Sequence, residues 1–519
     1  MNAESTNILN ARPNGRIRLA YVHDAPGQAS IKTKWRNPAF LATRGFTDTV
    51  VADQMSGATG LALIDADPSI AEPLLDRIES RIAAASAAGL GSWIMDDLWT
   101  LSRGFDACPA SQEAATAATQ AFVSLAERFP NLTGFIIRIG ERFDSPRDWV
   151  ERYDPLACEC EKCADIDIDE RRRTIVRFAE QTICQNLGKM CILRLWDLGE
   201  EGAHAVSGRA AEMLSAWNGD RRLIVSLKHT MTDYWRYQPW NPSLTKTDLP
   251  CLIELQCERE YEFTGHTPNW LGEQWANGPV ECLGNGMNSE NSEPDEAGER
   301  GLTKSSGFAN GLPKDWAGVY VLPRGGGWSG VQAKNDIWAD LNISTAIALT
   351  NNPNQDPVII LNEWLKSRQL PKKLAPLIAR SSDRMLALRY PKVWREFSNS
   401  IWMPAENWVR DDTFVAGALA RMATTIAAAG RAGAFVAERQ NLVDCMASDL
   451  KNVKDILSSI DHPDVEFIIE SYQFMHRFAD WTFGLWSALL AASPIQKSIA
   501  SELISLRLTN HPIPPFRLL

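Results

Sequence analysis

Residues 133–141 read TGFIIRIGE and residues 190–197 read MCILRLWD. Each is a short run rich in isoleucine and leucine that closes on ionisable side chains, Glu141 in the first and Arg194 and Asp197 in the second. An apolar run without polar alternation suits a strand buried on both faces, as in a parallel sheet. Charged residues at its far end suit the C-terminal strand edge, where barrel active sites are assembled. Working outward, six further runs share the pattern: Ile17 to Asp24, Phe46 to Gln54, Ser92 to Trp99, Leu223 to Thr230, Cys251 to Gln256 and Ala317 to Arg324. Alanine-rich or amphipathic segments separate several of them. Eight strands alternating with helices are what a closed (β/α)8 TIM barrel requires.

At 519 residues the chain exceeds one barrel of about 250 residues and predicts a second domain. Beyond about Ile343 the sequence turns to long alanine- and leucine-rich stretches such as TFVAGALARMATTIAAAGRAGAFVAERQ, which predict helices. The expected organisation is an N-terminal tail over 1–15, a catalytic (β/α)8 barrel over 16–345 and an α-helical C-terminal domain over 346–519. The polar stretch between Trp275 and Lys314 is expected to be a mobile loop over the active-site face. RGGGWSG, residues 324–330, lacks the Lys-Ser/Thr of a phosphate-binding loop and reads as a tight turn after the last strand.

Composition excludes several functions. A net charge of −11 provides no footprint for nucleic acid or an anionic membrane. No run approaches the roughly 20 apolar residues of a membrane span, and no stretch near the start has signal-peptide character, so a cytoplasmic location is expected if the N-terminus is native. The sequence has no G-x-S-x-G elbow and no H-E-x-x-H pair among its 7 histidines, which disfavours esterase and metalloprotease chemistry. No cofactor is implied. The 19 tryptophans against 8 tyrosines leave room for rings that stack on sugars as well as rings that fill the core.

Hydrolysis of a glycosidic bond needs one carboxyl group to protonate the leaving oxygen and another to activate water or attack the sugar. Glu141 ends the fourth run, Asp233 lies just past the sixth and Glu260 follows the seventh, so all three can converge over a barrel mouth. Arg194 and Lys228, on the fifth and sixth runs, can face the same pocket and hold a sugar carboxylate, or each can pair with a barrel acid such as Asp197.

These residues carry a resemblance. LKHTMTDYWRYQPWNP (227–242) is similar to the segment of glycoside hydrolase family 67, the α-glucuronidases, in which a lysine precedes the catalytic aspartate by five positions, as Lys228 precedes Asp233. IELQCEREYEFTG (253–265) resembles that family's Gln-x-x-Gln-Glu-Tyr segment, which implies a second catalytic carboxylate at Glu260, with Tyr261 beside it as a substrate contact. LTGFIIRIGERFDSP (132–146) is similar to the strand that ends in the family's acid catalyst, and ILRLWD (192–197) to the strand of its carboxylate-binding arginine. GGGWSGVQAKNDIWADLNISTAIALTNNPNQDPVIILNEW (325–364) resembles its Trp-Thr-Gly, Ala-Asn and Glu-Trp segments and implies Trp328 as the first choice for a stacking ring.

The resemblance spans about residues 130 to 365. It implies an inverting hydrolase with Glu141 as general acid, Asp233 and Glu260 as candidate bases, and Arg194 with Lys228 on a uronate carboxylate. The substrate class implied is a terminal α-linked glucuronic acid, or its 4-O-methyl form, on a short oligosaccharide such as a xylan fragment, and family members suggest a homodimer through the C-terminal domain. The sequence departs from the family where His229-Thr230-Met231-Thr232 replaces Asn-Gly-Pro, and it has no counterpart of the family's large N-terminal β domain. Alternatives are a barrel acting on another uronide or a neutral sugar, and one that binds carbohydrate without cleaving it.

Further candidates lie at other strand ends. Asp96, Asp97 and Trp99 close the third run, and His23 with Asp24 closes the first, where each can bind sugar hydroxyls. Trp196, Trp235, Trp240 and Trp270 neighbour the proposed catalytic ends, where a ring can stack on the sugar or its aglycone. His229 points away from Lys228 if its strand continues, which predicts packing. Cys158, Cys160 and Cys163 place three thiols in six residues, either as plain or redox-active thiols or as part of a structural metal site needing a fourth ligand from elsewhere.

Overall fold

A computed structural model describes residues 15–23, 31–53, 67–97, 100–102, 108, 111–139, 150–152, 156, 160–195, 202–204, 206–230, 234, 240–259, 262–278, 307–325, 333–389, 391–395, 413–414, 416–491 and 517–518. By internal packing the chain forms two compact units. One comprises Met1–Asp233, Trp240–Gln256 and Gly311–Gly327; the other comprises Tyr234–Pro239, Cys257–Asn310 and Trp328–Leu519.

The first unit is a closed parallel barrel of eight strands: β1 (Ile17–Ala20), β2 (Asp48–Ala52), β3 (Gly91–Asp97), β4 (Gly134–Ile139), β5 (Met190–Leu195), β6 (Leu223–Lys228), β7 (Cys251–Gln256) and β8 (Trp316–Leu322). Every strand pairs with its sequence neighbours, and β8 returns to β1, with Ile17 opposite Gly318 and Leu19 opposite Tyr320. All eight runs identified from sequence are strands of this barrel. β4 to β7 are buried along their full length, which is why they read as unbroken apolar runs. Gly318 sits at φ +133°, beside a register shift on β8, and an added Cβ there would lie 2.0 Å from the Ile17 carbonyl oxygen. The closing seam therefore needs glycine at this point.

Helices return the chain between strands: α1 (Pro38–Thr43), α2 (Pro68–Ala87), α3 (Gln112–Arg128), α4 (Ile168–Phe178) and α5 (Ser207–Leu214). Their starts are written locally. The side chains of Asn37, Asp67, Ser111 and Asp167 accept hydrogen bonds from the first-turn amides of α1 to α4, and Pro38 and Pro68 occupy the first positions of α1 and α2. α2 buries Ala71, Leu74, Leu75, Ile78, Ile82 and Ala85, the stripe expected of a helix laid on a sheet. α4 runs on as a π-helical segment, Ala179–Asn186, whose buried Glu180 accepts from the backbone amides of Asn218 and Asp220 at 2.9 and 3.0 Å.

The second unit is helical. Its main elements are α6 (Ile337–Asn351), α7 (Pro357–Ser367), α8 (Ala416–Ala428), α9 (Ala432–Leu457) and α10 (Val465–Ala491). One core cluster joins α8, α9 and α10 through Met422, Ile426, Phe435, Met446, Met475 and Phe478, and another joins α6, α7, α9 and α10 through Trp338, Leu361, Trp364, Val453 and Tyr472. Asp449 on α9 is gripped by Arg380 at 2.6 Å and Arg384 at 2.9 Å. No described helix is long and apolar enough to cross a membrane. Of the polar stretch between Trp275 and Lys314, residues 279–306 lie outside the described residues, and short helices, Gly272–Asn277 and Gly307–Asn310, flank them.

Candidate active site

Two register rows run across the barrel strands. Asp97, Arg138, Arg194 and Ser226 are aligned on β3, β4, β5 and β6, while Lys228, Glu254 and Tyr320 are aligned on β6, β7 and β8. The stagger between strands brings the rows together at Glu254. Its carboxylate receives Arg194 Nε at 3.0 and 3.1 Å and Arg194 Nη2 at 3.0 Å, and Ser226 Oγ donates at 2.8 Å. Glu254 is fully buried, and Arg194 and Lys228 are almost so. Burial opposes ionisation of Glu254, but Arg194 and then Lys228 outweigh it and hold the carboxyl below the usual range. Glu254 is therefore the barrel acid that pairs with Arg194.

The guanidinium of Arg194 also lies 5.4 Å from the Tyr320 ring centre. Tyr320 donates to Met95 Sδ at 3.5 Å and tilts against Tyr21, 6.0 Å away, which stacks on His23 at 5.4 Å. Burial and then the neighbouring Asp53 carboxylate, by its charge and by a hydrogen bond to the hydroxyl, push the Tyr21 phenol well up.

His23 lies within reach of several of these charges. Burial lowers its pKa first, followed by the charges of Arg194, Arg138, Lys228 and Arg36 in that order. The imidazole is therefore neutral, and three cations on adjacent strands β4, β5 and β6 act on one point at the end of β1. Gly325, at φ +83°, bridges to His23 so closely that a Cβ would stand 1.8 Å from the His23 carbonyl oxygen, while Gln256 Nε2 donates to the Gly325 carbonyl oxygen at 3.1 Å. Gly325 thus joins the chain after β1 to the end of β7.

Beyond Lys228 the backbone is held by buried polar groups. Asn241 Nδ2 donates to the Lys228 carbonyl oxygen at 3.2 Å, and His204 Nε2 lies 3.1 Å from the Thr230 carbonyl oxygen. Burial and then Lys228 lower the His204 pKa to about 3, so this imidazole is also neutral and its Nε2–H donates. His229 packs edge-on to Trp240 at 5.9 Å with Nδ1 3.2 Å from the Glu254 carbonyl oxygen, a packing role.

In the second unit, Arg259 pairs with Glu262 at 2.9 Å, both buried, and its Nη2 donates to the Tyr234 carbonyl oxygen at 2.7 Å. Asn269 also donates to Glu262. Arg259, Phe263 and Thr264 all have positive φ, at 64°, 68° and 46°. Left-handed backbone at three non-glycine residues is costly and clusters where a chain is held for a purpose.

Of the residues singled out from sequence, Arg194 and Lys228 are brought together around Glu254, and Asp97 ends β3 with its Cα opposite Arg138. Glu141, Asp233, Glu260, Tyr261, Trp99, Trp328 and Cys158 lie outside the described residues, as do Asp24, Trp196 and Trp235. Two expectations are corrected. Trp240 and Trp270 are not open sugar platforms: both are 1% exposed, with their Nε1 groups donating to Gly311 O at 3.0 Å and Thr345 Oγ1 at 2.9 Å. Sequence reasoning also missed Arg138, Glu254, Tyr21 and Tyr320. The signal for Arg138 was present, since GFIIRI repeats the apolar-apolar-Arg-apolar pattern of MCILRL one strand earlier.

The sequence matches no protein-family profile and no curated protein. Among solved structures, a glycoside hydrolase family 138 enzyme targeting pectin rhamnogalacturonan II is similar at a TM-score of 0.52 and 10% identity, covering 95% of this chain and 61% of that one. An O-GlcNAc hydrolase of Thermobaculum terrenum matches at a TM-score of 0.40 and 11% identity over 95% of this chain and 89% of that one. At such identity the likeness is one of fold.

Proposed function

We propose that this chain is an inverting glycoside hydrolase that removes a terminal α-linked glucuronic acid, or its 4-O-methyl form, from short oligosaccharides such as xylan fragments. The observation that carries the reading is the placing of Arg194 and Lys228 about Glu254 with Arg138 in register beside Arg194, a cluster of three cations suited to a sugar carboxylate. Glu254 holds one edge of Arg194 and fixes its orientation. Lys228 and Arg138 then supply further charge to the incoming uronate.

In this reading Glu141 protonates the glycosidic oxygen, and Asp233 or Glu260 takes a proton from the attacking water. The hydrogen bond between Arg259 and Tyr234 supports it, because these residues adjoin Glu260 and Asp233 in the chain. An inverting mechanism leaves about 6.5–9.5 Å between acid and base. Glu141 must keep its proton near neutrality, which burial or a neighbouring carboxylate favours. Asp97, Trp99, Tyr261 and Trp328 are assigned to the sugar and its aglycone. The same reading takes the enzyme as cytoplasmic and as a homodimer through its helical region, which light scattering tests.

A second reading keeps the chemistry and changes the uronide. Glucuronate and galacturonate present the same carboxylate to the cations, and the fold is similar to that of an enzyme targeting pectin rhamnogalacturonan II. The deciding experiment incubates the protein with xylan-derived and pectin-derived uronides and with neutral oligosaccharides, following anomeric configuration by NMR. Initial release of β-glucuronate from an α-linkage supports the proposal. An initial α-product overturns inversion, cleavage of neutral sugars alone overturns uronate recognition, and binding without cleavage identifies a carbohydrate-binding barrel.

A further inference from the structure

Cys108 is distant in sequence from Cys160 and Cys163 but meets them in space. The Sγ atoms of Cys108, Cys160 and Cys163 all lie within 4.8 Å of one another, with Cys108 to Cys163 at 2.9 Å and Cys108 to Cys160 at 3.2 Å. We propose that these three thiols bind a structural zinc ion that ties together the segments following β3 and β4.

The geometry is that of a ligand set. Sulfurs about 2.3 Å from a tetrahedral zinc stand about 3.8 Å apart; the Cys108–Cys163 and Cys108–Cys160 separations are somewhat shorter than that and well beyond the about 2.05 Å of a disulfide. Each thiol is also carried on ordered backbone. The Cys160 carbonyl oxygen accepts from the amides of Cys163 and Ala164 at 2.9 and 3.0 Å, forming one turn that sets the two thiols of a C-x-x-C spacing side by side. The Cys163 carbonyl oxygen accepts from Arg171 and from the Ile166 amide. The Cys108 carbonyl oxygen accepts from Ser111, whose side chain caps α3.

Cys163 is fully buried, while Cys108 and Cys160 are half-buried, so the site is shielded yet reachable. A second observation joins the same two segments: Thr100–Ser102 and Val150–Arg152 form an antiparallel pair. On binding, each thiol loses its proton to solvent as its sulfur bonds to the metal, so uptake releases at least three protons and no electron is transferred.

The test uses the full chain purified under reducing conditions with zinc supplied during expression. Elemental mass spectrometry should find about one zinc per chain in the wild type and in Cys445→Ser, and at least tenfold less in Cys108→Ser and Cys160→Ser. Because such variants can fail to fold, the wild type is also titrated with cobalt after chelation and its thiols are alkylated with and without metal. Thiolate-to-cobalt absorption with at least three metal-protected thiols supports the site. Absence of both zinc and cobalt uptake, full zinc retention in Cys108→Ser, or a Cys108–Cys163 disulfide in the reduced protein overturns it.

Discussion

Arg259 donates from Nη2 to the backbone carbonyl oxygen of Tyr234 at 2.7 Å while its Nε and Nη2 hold the buried Glu262 carboxylate. One guanidinium thus links the chain just past β7 to the chain just past β6. Replacing it with methionine removes the cation that pairs with the buried Glu262, which should cost about 3–5 kcal/mol in urea-induced unfolding. Under conditions where the variant remains folded, the proposed positioning role predicts a fall in kcat larger than any rise in KM. Lysine should recover part of the stability and little of the rate, because it lacks the planar fork.

Lys228 is expected to act on substrate charge. Lys228→Met should raise KM for a uronide about 10- to 100-fold, the equivalent of losing about 1.5–3 kcal/mol from a charge-assisted hydrogen bond, with little change for a matched neutral glycoside. Arg138→Met should act in the same direction. Equal loss on charged and neutral substrates would count against carboxylate recognition.

The Arg194–Glu254 pair makes a different prediction. Glu254→Leu leaves a buried guanidinium uncompensated and should destabilise the barrel by about 3–5 kcal/mol. The double variant Arg194→Leu/Glu254→Leu should recover much of that stability, since an apolar pair of similar volume tolerates burial. Uronide hydrolysis should remain lost. Recovery of hydrolysis in the double variant would remove Arg194 from the proposed site.

The barrel strands were legible because their burial on both faces leaves an unbroken apolar signature, and the helices beyond Ile343 because alanine- and leucine-rich periodicity persists for many turns. Glu254 was hidden by the same logic. In CLIELQ it looks like an interruption of a strand, and only the register opposite Lys228 and the reach of Arg194 reveal it as the centre of a polar cluster. Trp240 and Trp270 misled because sequence shows a tryptophan's neighbours in the chain but not which groups surround its ring. Cys108 was invisible for a related reason, standing 52 residues from Cys160 with no local pattern of its own.

Acid should expose the buried histidines. An unfolded histidine takes up a proton near pH 6.5, whereas folded His204 does so only near 3, so its stabilising contribution is complete above about 6.5 and declines as pH falls towards 3. The slope is about 1.4 kcal/mol per pH unit across that window, and His23, also held low, contributes in the same direction. Urea midpoints of the wild type should fall between pH 6 and 4.5. His204→Gln, which does not titrate, should start from lower stability and show a shallower decline.

The seam between β1 and β8 joins Ile17 to Gly318. At synthesis rates of roughly 5–20 residues per second, the first strand waits on the order of 15–60 s after leaving the ribosome before its closing neighbour emerges. Through that interval β1, whose residues are all buried in the finished barrel, has one edge unsatisfied and offers it to any passing strand. The newborn chain's main exposure to misassembly therefore lies at its beginning, and expression at low temperature or with holding chaperones should benefit the yield more than any change to the helical end.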